Sequence, residues 1–240
     1  MYFIDTHIHL QDFNPDFAPQ VIDNPYLKNM ILISAKLDDF TKITTLTNQY
    51  PNKLIPSYGI HPWYAKTLIS IDELEDKLQK NKNALIGEIG LDALKEKVTS
   101  NQHNLFKQQL DLSIRYNRPT IIHGAKAFNE LKDYSNILKK IKFTYHGYTK
   151  NIELLNFINE CNGYIGLGPM FLKQKNAPIF IKSMPLNKIL FETDAPYQLK
   201  ENSYNQTTKE NLELLSKIST IPLSELEDIL LENTLEFIKC

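Results

Sequence analysis

Short apolar segments alternate with longer amphipathic segments along the chain, and this alternation limits the folds that it can adopt. Eight of the apolar segments are short enough to be strands, and most are rich in β-branched or aromatic residues. They cover residues 2–6, 30–35, 54–59, 84–87, 120–123, 142–146, 163–167 and 188–192. Helix-like segments lie between them, so we expect the strands to pair in parallel through right-handed crossovers.

The predicted helices cover residues 70–82, 101–116, 151–161, 208–218 and 224–238. The first begins at Ser70, and Glu73 follows at the spacing of a capping box. Eight strand–helix units in 240 residues favour a closed TIM (β/α)8 barrel over an open doubly wound sheet. We therefore expect one α/β domain over residues 1–240, with irregular segments at 14–25 and after Pro196.

The composition argues against several other classes of protein. Two cysteines, Cys161 and Cys240, are too few and too distant for a disulfide scaffold or a cysteine-based zinc site. The polar N-terminal segment does not resemble a signal peptide, and no apolar run reaches the roughly 18 residues of a membrane span. We expect a cytoplasmic protein without a membrane partner, and no protein partner can be inferred. The net charge of −1 provides no general attraction for nucleic acid.

Residues that can bind metals or transfer protons stand at or near the C-terminal ends of the predicted strands. They are His7, His9, His61, Glu88, His123, His146, Glu192 and Asp194. In a barrel these strand ends share one rim, where the loops surround a single axial pocket. His103 differs because it lies inside a predicted helix, and we interpret it as a surface or packing residue. The pattern predicts one polar site at the rim.

The spacing of these residues favours a metal site. Alternation along a strand places Asp5, His7 and His9 on one face, where the two imidazoles can hold one ion. Glu192 and Asp194 also share a face, and two close carboxylates repel each other unless a cation lies between them. The alternatives are ordinary core or surface histidines and an acidic rim that faces solvent. Imidazoles suit zinc and carboxylates suit magnesium or manganese, so the metal identity stays open.

The order of the motifs resembles the TatD family of metal-dependent deoxyribonucleases, within the amidohydrolase superfamily. The matching segments are FIDTHIHL, GIHPW, GEIGLD, PTIIH, a histidine that ends strand 6, and FETDAPY. They extend from residue 3 to residue 197, and a similar C-terminal helix lies around Asn233. FIDTHIHL alone is moderately specific, whereas the ordered set is highly specific. The resemblance implies a distorted TIM barrel with up to two divalent metal ions.

The resemblance also assigns roles to residues. His7, His9 and Asp194 would bind the first ion, and His123 and His146 the second. Glu88 would bridge both ions, and His61 would lie near the scissile phosphate and contact the substrate. Asp92 and Glu192 would orient metal ligands. Asp194 is then the best candidate to accept a proton from a water molecule whose pKa the ions lower.

The loops depart from the family pattern more than the metal positions do. After strand 5 the family usually has a serine and an arginine that follow the histidine, whereas here His123 is followed by Gly124, Ala125 and Lys126, and the arginine is absent. HGYT lacks the usual cysteine, and QLKENSYNQ replaces a basic loop. Seven lysines that follow strands 4 to 8 could contact phosphates, or could simply reflect a lysine-rich chain. They are Lys95, Lys97, Lys126, Lys150, Lys173, Lys175 and Lys200. No aromatic motif with basic interleaving is evident along the sequence.

Three functions are consistent with these patterns. The first is a metal-dependent phosphodiesterase that acts on DNA as a nuclease. The second is a binuclear hydrolase that cleaves an ester, amide or phosphoester in a small molecule. The third is a metal-binding protein with little catalysis that serves a partner.

Overall fold

A computed structural model describes residues 3–149 and 151–239 and shows one eight-stranded parallel sheet in the order β1 to β8. The strands are β1 Phe3–Ile8, β2 Leu27–Ile33, β3 Leu54–Tyr58, β4 Leu85–Asp92, β5 Thr120–Ala125, β6 Phe143–Tyr145, β7 Tyr164–Leu167 and β8 Ile189–Phe191. All eight predicted strands are present, although residue 2 lies outside the described residues. Helices surround the sheet, and the predicted α/β barrel of the TIM type is confirmed.

The helices are α1 Ala18–Ile22, α2 Leu37–Gln49, α3 Asp72–Lys80, α4 Ser100–Tyr116, α5 Phe128–Lys132, α6 Ser135–Leu138, α7 Ile152–Glu160, α8 Pro169–Leu172, α9 Ala177–Ile181, α10 Tyr204–Ser219 and α11 Leu223–Phe237. The five predicted helices correspond to α3, α4, α7, α10 and α11. The predicted capping box at α3 does not form, because the Ser70 hydroxyl accepts a hydrogen bond from Asp72 N instead. The α2 helix was not predicted from the sequence.

The barrel is distorted where β8 meets β1, because β8 ends at Phe191 before a regular ladder forms. The segment after β8 completes the closure instead. Asp194 N donates a hydrogen bond to His7 O at 2.8 Å, and His9 N donates to Ala195 O at 2.9 Å. Asp194 has a left-handed backbone conformation with φ of 51°. This seam therefore fixes the backbone positions of His7, His9 and Asp194 relative to one another.

Successive strand residues alternate between two hydrophobic clusters. In β2, Met30 and Leu32 pack in the larger cluster with the helices, whereas Ile31 and Ile33 pack in a smaller one. The smaller cluster also takes side chains from four other strands: Leu85, Ile121, Tyr164 and Leu190. The alternation identifies this cluster as the barrel interior. Since Leu190 lies inside, Glu192 two residues later points towards the same interior.

Three strands, β1, β4 and β5, extend past their predicted C-terminal ends, and this changes where the polar residues lie. β5 extends to Ala125, so His123 lies within the strand and does not end it. β1 extends to Ile8, so His7 lies within the strand and not after it. β4 extends to Asp92, so Glu88 also lies inside a strand.

None of the helices in the described part of the chain is long and apolar enough to cross a membrane.

The C-terminal helix α11 is tied to the start of β8 by one buried side chain. Asn233 Nδ2 donates hydrogen bonds to Leu186 O at 2.7 Å and to Ile189 O at 2.8 Å. Phe237, in the last turn of the helix, lies in the cluster of the barrel interior. The helix therefore supports the short final strand and closes one end of the barrel.

We predict that Asn233→Ala lowers the free energy of unfolding by roughly 1–3 kcal/mol, because two carbonyl groups lose their donor. Chemical denaturation followed by circular dichroism measures the change. Glu232→Ala is the matched control, since Glu232 is exposed on the same helix, and we expect a change within about 0.5 kcal/mol. Equal effects of the two substitutions would contradict the role of Asn233.

Candidate metal centre

The structure brings the predicted site residues together at the C-terminal ends of the strands. They are His7, His9, His61, Glu88, Asp92, His123, His146, Glu192 and Asp194, from or just after β1, β3, β4, β5, β6 and β8. All of them are buried or nearly buried. His103 lies on α4, outside this group. Its Nδ1 is 2.8 Å from the Tyr134 hydroxyl, which agrees with its interpretation as a surface or packing residue.

A first group of potential ligand atoms surrounds the His-x-His segment. The Nε2 atoms of His7 and His9 are 3.3 Å apart. Glu88 Oε2 lies 3.5 Å from the first nitrogen and 3.9 Å from the second. Asp194 Oδ1 lies 3.8 Å and 3.5 Å from the same two atoms. Two imidazoles and two carboxylates thus face one point.

A second group lies around the other oxygen of Glu88. Glu88 Oε1 is 2.7 Å from His123 Nδ1, 3.9 Å from His146 Nε2 and 3.8 Å from His61 Nε2. Asp194 contributes here too, because its Oδ2 lies 3.7 Å from His146 Nε2. Glu88 therefore presents one oxygen to each group of imidazoles.

The donor set fits divalent ions. Two ligand atoms that each lie about 2.1 Å from one ion in tetrahedral geometry are roughly 3.4 Å apart. The separations in the first group, 3.3 to 3.9 Å, are close to this value and too long for strong hydrogen bonds. Imidazole nitrogens whose lone pairs face each other also need a shared proton or cation. The residues present can hold zinc, manganese or magnesium without a large rearrangement.

Two carboxylates contact the outer nitrogens of the second group. Asp92 Oδ2 lies 2.8 Å from His123 Nε2, and Glu192 Oε1 lies 3.0 Å from His146 Nδ1. These contacts leave His123 Nδ1 and His146 Nε2 facing Glu88. Carboxylates in this position fix the tautomer and the ring orientation of a metal-binding histidine. The Nδ1 atoms of His7 and His9 have neither a carboxylate contact of this kind nor a hydrogen-bond partner among the described residues, so their strand positions orient them.

The carboxylates of the centre remain ionised. Burial alone would raise the pKa of Glu88, but the electrostatic interactions with the His61 and His123 rings and the hydrogen bonds with His123 and His7 hold it well below its usual range. Burial likewise opposes ionisation of Asp194, yet the contacts with His9, His146 and His7 lower its pKa to about 2. Both side chains therefore offer charged oxygens to a cation at neutral pH.

Two histidines of the second group, His123 and His146, bind protons tightly in the metal-free protein. Burial lowers the pKa of His123, but the charge of Glu88 and the contact with Asp92 outweigh this effect and raise it to about 9. For His146, the charge and contact of Glu192 overcome burial and raise the pKa to about 10. Protons on these two imidazoles offset part of the negative charge of the carboxylates.

His61 has a different electrostatic environment. Burial lowers its pKa to about 3, and the nearby charge of Glu88 offsets this only in part. His61 Nδ1 accepts a hydrogen bond from Trp63 N at 3.1 Å. The neutral ring therefore carries its proton on Nε2, which faces the centre as a hydrogen-bond donor.

The structure also reveals Asp5 as a support of the site. Its carboxylate is fully buried and accepts hydrogen bonds from His7 N, Thr193 N, Thr193 Oγ1 and the Tyr204 hydroxyl. Burial raises the pKa of Asp5 to about 7, although these hydrogen bonds lower it in part. Asp5 and Tyr204 are far apart in sequence. The only sequence signal for a role of Asp5 in the site was its position on the same strand face as His7.

Two glutamines of α4 hold strand-end segments of the site. Gln102 Oε1 accepts from Asp92 N at 2.9 Å, and its Nε2 donates to Asp92 O at 3.1 Å. Gln109 makes the same pair of bonds with Ile60, at 2.8 and 3.1 Å, next to His61. Both glutamines are buried. Their spacing of seven residues places them on one helix face, which was a signal that our sequence analysis missed.

Such a centre, at the mouth of a parallel barrel, is typical of metal-dependent hydrolases. Residues 4–239 match the family described as TatD related DNase, so the chain belongs to that family. The resemblance found in the sequence motifs is confirmed.

Individual relatives agree with this assignment. An uncharacterized metal-dependent hydrolase of Haemophilus influenzae is 27% identical, with 82% of each chain covered. A putative deoxyribonuclease TATDN1 homolog of Vairimorpha ceranae is 31% identical, covering 75% of this chain and 73% of the relative. The crystal structure of YjjV, a TatD homolog of Escherichia coli K12, has a TM-score of 0.83 at 23% identity and covers 98% and 97% of the two chains.

We predict that Zn²⁺ or Mn²⁺ binding at pH 8 releases about two protons per chain. His123 and His146, with pKa values of about 9 and 10, are protonated at this pH, but an imidazole must be neutral to bind an ion. The affinity should therefore rise with pH up to about 10. Calorimetry in buffers of different ionisation enthalpy counts the protons.

The control for this measurement is His103→Gln, which changes a histidine outside the centre and should leave the proton count unaltered. Metal binding without proton release would refute the protonation of His123 and His146 that we describe.

Proposed function

We propose that this protein cleaves phosphodiester bonds in DNA and that it uses two divalent ions. The observation that carries the proposal is the position of Glu88, whose two oxygens face different imidazoles: Oε2 faces His7 and His9, and Oε1 faces His123. A pair of ions held by one carboxylate suits in-line displacement at phosphorus, because the attacking and leaving oxygens both need stabilisation.

In this proposal the chain holds the ions with the residues of the two groups. His7, His9 and Asp194 would hold the first ion, His123 and His146 would hold the second, and Glu88 would serve both. When bound, the ions lower the pKa of water and offset negative charge on the phosphate. The number of imidazoles favours zinc or manganese over magnesium.

Other steps belong to the side chains. Asp194 is ionised and receives a hydrogen bond from Gln198 Nε2 at 2.9 Å on Oδ2, so its carboxylate can accept a proton from the attacking water. His61 presents an Nε2 proton to the centre and can donate a hydrogen bond to a phosphate oxygen. Asp92 and Glu192 keep the rings of His123 and His146 in position.

Two observations support DNA as the substrate. Relatives of this chain carry the name putative deoxyribonuclease TATDN1 homolog. In addition, exposed lysines follow the strands around the mouth, among them Lys95, Lys126 and Lys200, while Lys150 lies outside the described residues. Lysine ammonium groups attract phosphates in a way that depends on salt concentration.

One observation favours a small-molecule substrate instead. The two arginines of the chain lie away from the mouth: Arg115 pairs with Glu75 at 2.7 Å on the surface, and Arg118 is buried. The mouth therefore lacks the bidentate guanidinium contacts with which proteins often fix phosphate backbones. A binuclear hydrolase for esters, amides or phosphoesters is the second candidate.

We predict that the metal-loaded protein degrades DNA and that Asp194→Asn lowers kcat by roughly 10²- to 10⁴-fold, because the proton acceptor is lost. Fluorescent DNA cleavage with Mn²⁺ measures the rate. Asp111→Asn is the control, since Asp111 is exposed on α4, and its activity should match that of the native chain.

Three results would separate the candidates. Inert DNA together with turnover of esters or amides would favour the small-molecule hydrolase. Stoichiometric metal binding without turnover of any substrate would favour a non-catalytic metal protein. Full activity of Asp194→Asn on DNA would refute the assigned role of Asp194.

A further inference from the structure

A cavity of about 430 Å³ lies beside the metal centre and takes no part in the chemistry described above. Its wall includes Asp92, which contacts His123 on the other side. The remaining wall comes from the turn after His61, from the loop between β4 and α4 and from the first turn of α4. Residues from these segments include Trp63, Tyr64, Lys66, Lys95 and Glu96. The cavity therefore shares Asp92 with the metal centre, but the rest of its wall is aromatic, basic and polar and, among the described residues, contains no histidine.

Trp63 is the main aromatic surface of this cavity. It lies in the one-turn helix Pro62–Tyr64 and remains 45% exposed. Its backbone N–H is bonded to His61, and the two rings meet edge to face with centroids 5.1 Å apart. The indole position is thus fixed by the same residue that faces the metal centre.

Lys95 lies over the indole ring, with Nζ 3.9 Å from the ring centroid. This contact shows that a face of the ring is accessible to a group from outside the turn. The wall also carries a second ammonium group, Lys66, and the carboxylate of Glu96. The wall thus combines an aromatic face with charged groups. A ligand that has a planar ring with polar edges and attached phosphate groups fits such a wall better than a purely apolar ligand does.

Further aromatic side chains surround the mouth. Tyr64 is 42% exposed, and Lys36 Nζ lies 6.0 Å from its ring centroid. Tyr197 is 66% exposed and packs edge to face against His9, with centroids 5.1 Å apart. The fold thus gathers the aromatic and basic residues that are scattered along the sequence.

We propose that Trp63 and Lys95 form a subsite that binds one nucleobase of the nucleotide next to the scissile phosphate. The base stacks on the indole, and the ammonium group moves from the ring to a neighbouring phosphate. This inference rests on the proposed function, since it places the phosphate at the metal centre. Stacking on one aromatic side chain raises affinity by roughly tenfold or more.

The sequence supplies a direct probe, because Trp63 is its single tryptophan. We would titrate the Asp194→Asn chain in Mn²⁺ with a single-stranded thymidine pentanucleotide and with an abasic oligomer of the same length. Quenching of Trp63 fluorescence by the pentanucleotide alone is expected. Equal quenching by both oligomers, or none by either, would overturn the subsite.

A cleavage measurement tests the same contact in the active protein. In the native chain, KM for a substrate that is abasic next to the scissile phosphate should exceed KM for the normal substrate by roughly tenfold. Trp63→Ala should bring this ratio close to one, and Trp63→Phe should restore most of it. Tyr26→Ala is the matched control, because Tyr26 is also exposed but precedes β2 at the opposite end of the barrel. An unchanged ratio in Trp63→Ala would contradict the proposal.

The two measurements separate this inference from the proposed function. Base-dependent quenching without DNA cleavage would retain the subsite and reject the nuclease. Cleavage with a KM ratio near one in the native chain would retain the nuclease and reject the subsite.

Discussion

The closure of β8 against β1 is the contact on which the metal centre depends most. β8 is three residues long, so the ladder alone cannot hold the seam. The buried carboxylate of Asp5 instead accepts hydrogen bonds from both sides of it and from Tyr204 on α10. His7 donates its backbone N–H to Asp5, and Asp194 directly follows Thr193, which also donates to Asp5. A buried polar network of this kind fixes geometry because every lost bond leaves an unpaired group.

The sequence predicted the barrel well because its strands are compact and separated by recognisable helices. It also predicted which polar residues meet, since parallel strands in a barrel deliver their C-terminal ends to one rim. His7, His123 and Asp194 came together for this reason. The metal identities, the number of ions and the ligand roles remain proposals that the contacts support.

Other features could not be derived from local patterns. The α2 helix contains several threonines, which favour helix weakly, and tertiary packing overrides that preference. The extension of β4 to Asp92 depends on its pairing with β5. The bond from Tyr204 to Asp5 spans 199 residues, and no periodicity encodes such a distance. Likewise, Trp63 and Lys95 approach each other only because β3 and β4 are neighbours.

The bidentate bonds of Gln102 have a consequence for how the loop between β4 and α4 can change. Asp92 is fastened to α4 at the end of the strand, and Thr99 caps the helix where it begins. Residues 93–98 therefore connect two fixed points, Asp92 and Thr99, whose hydrogen bonds to Gln102 involve no residue of the segment between them. Insertions or replacements in this segment can reshape the wall of the cavity while Asp92 keeps its place beside His123. The wall of the cavity can therefore change in sequence without a change in the residues of the metal centre.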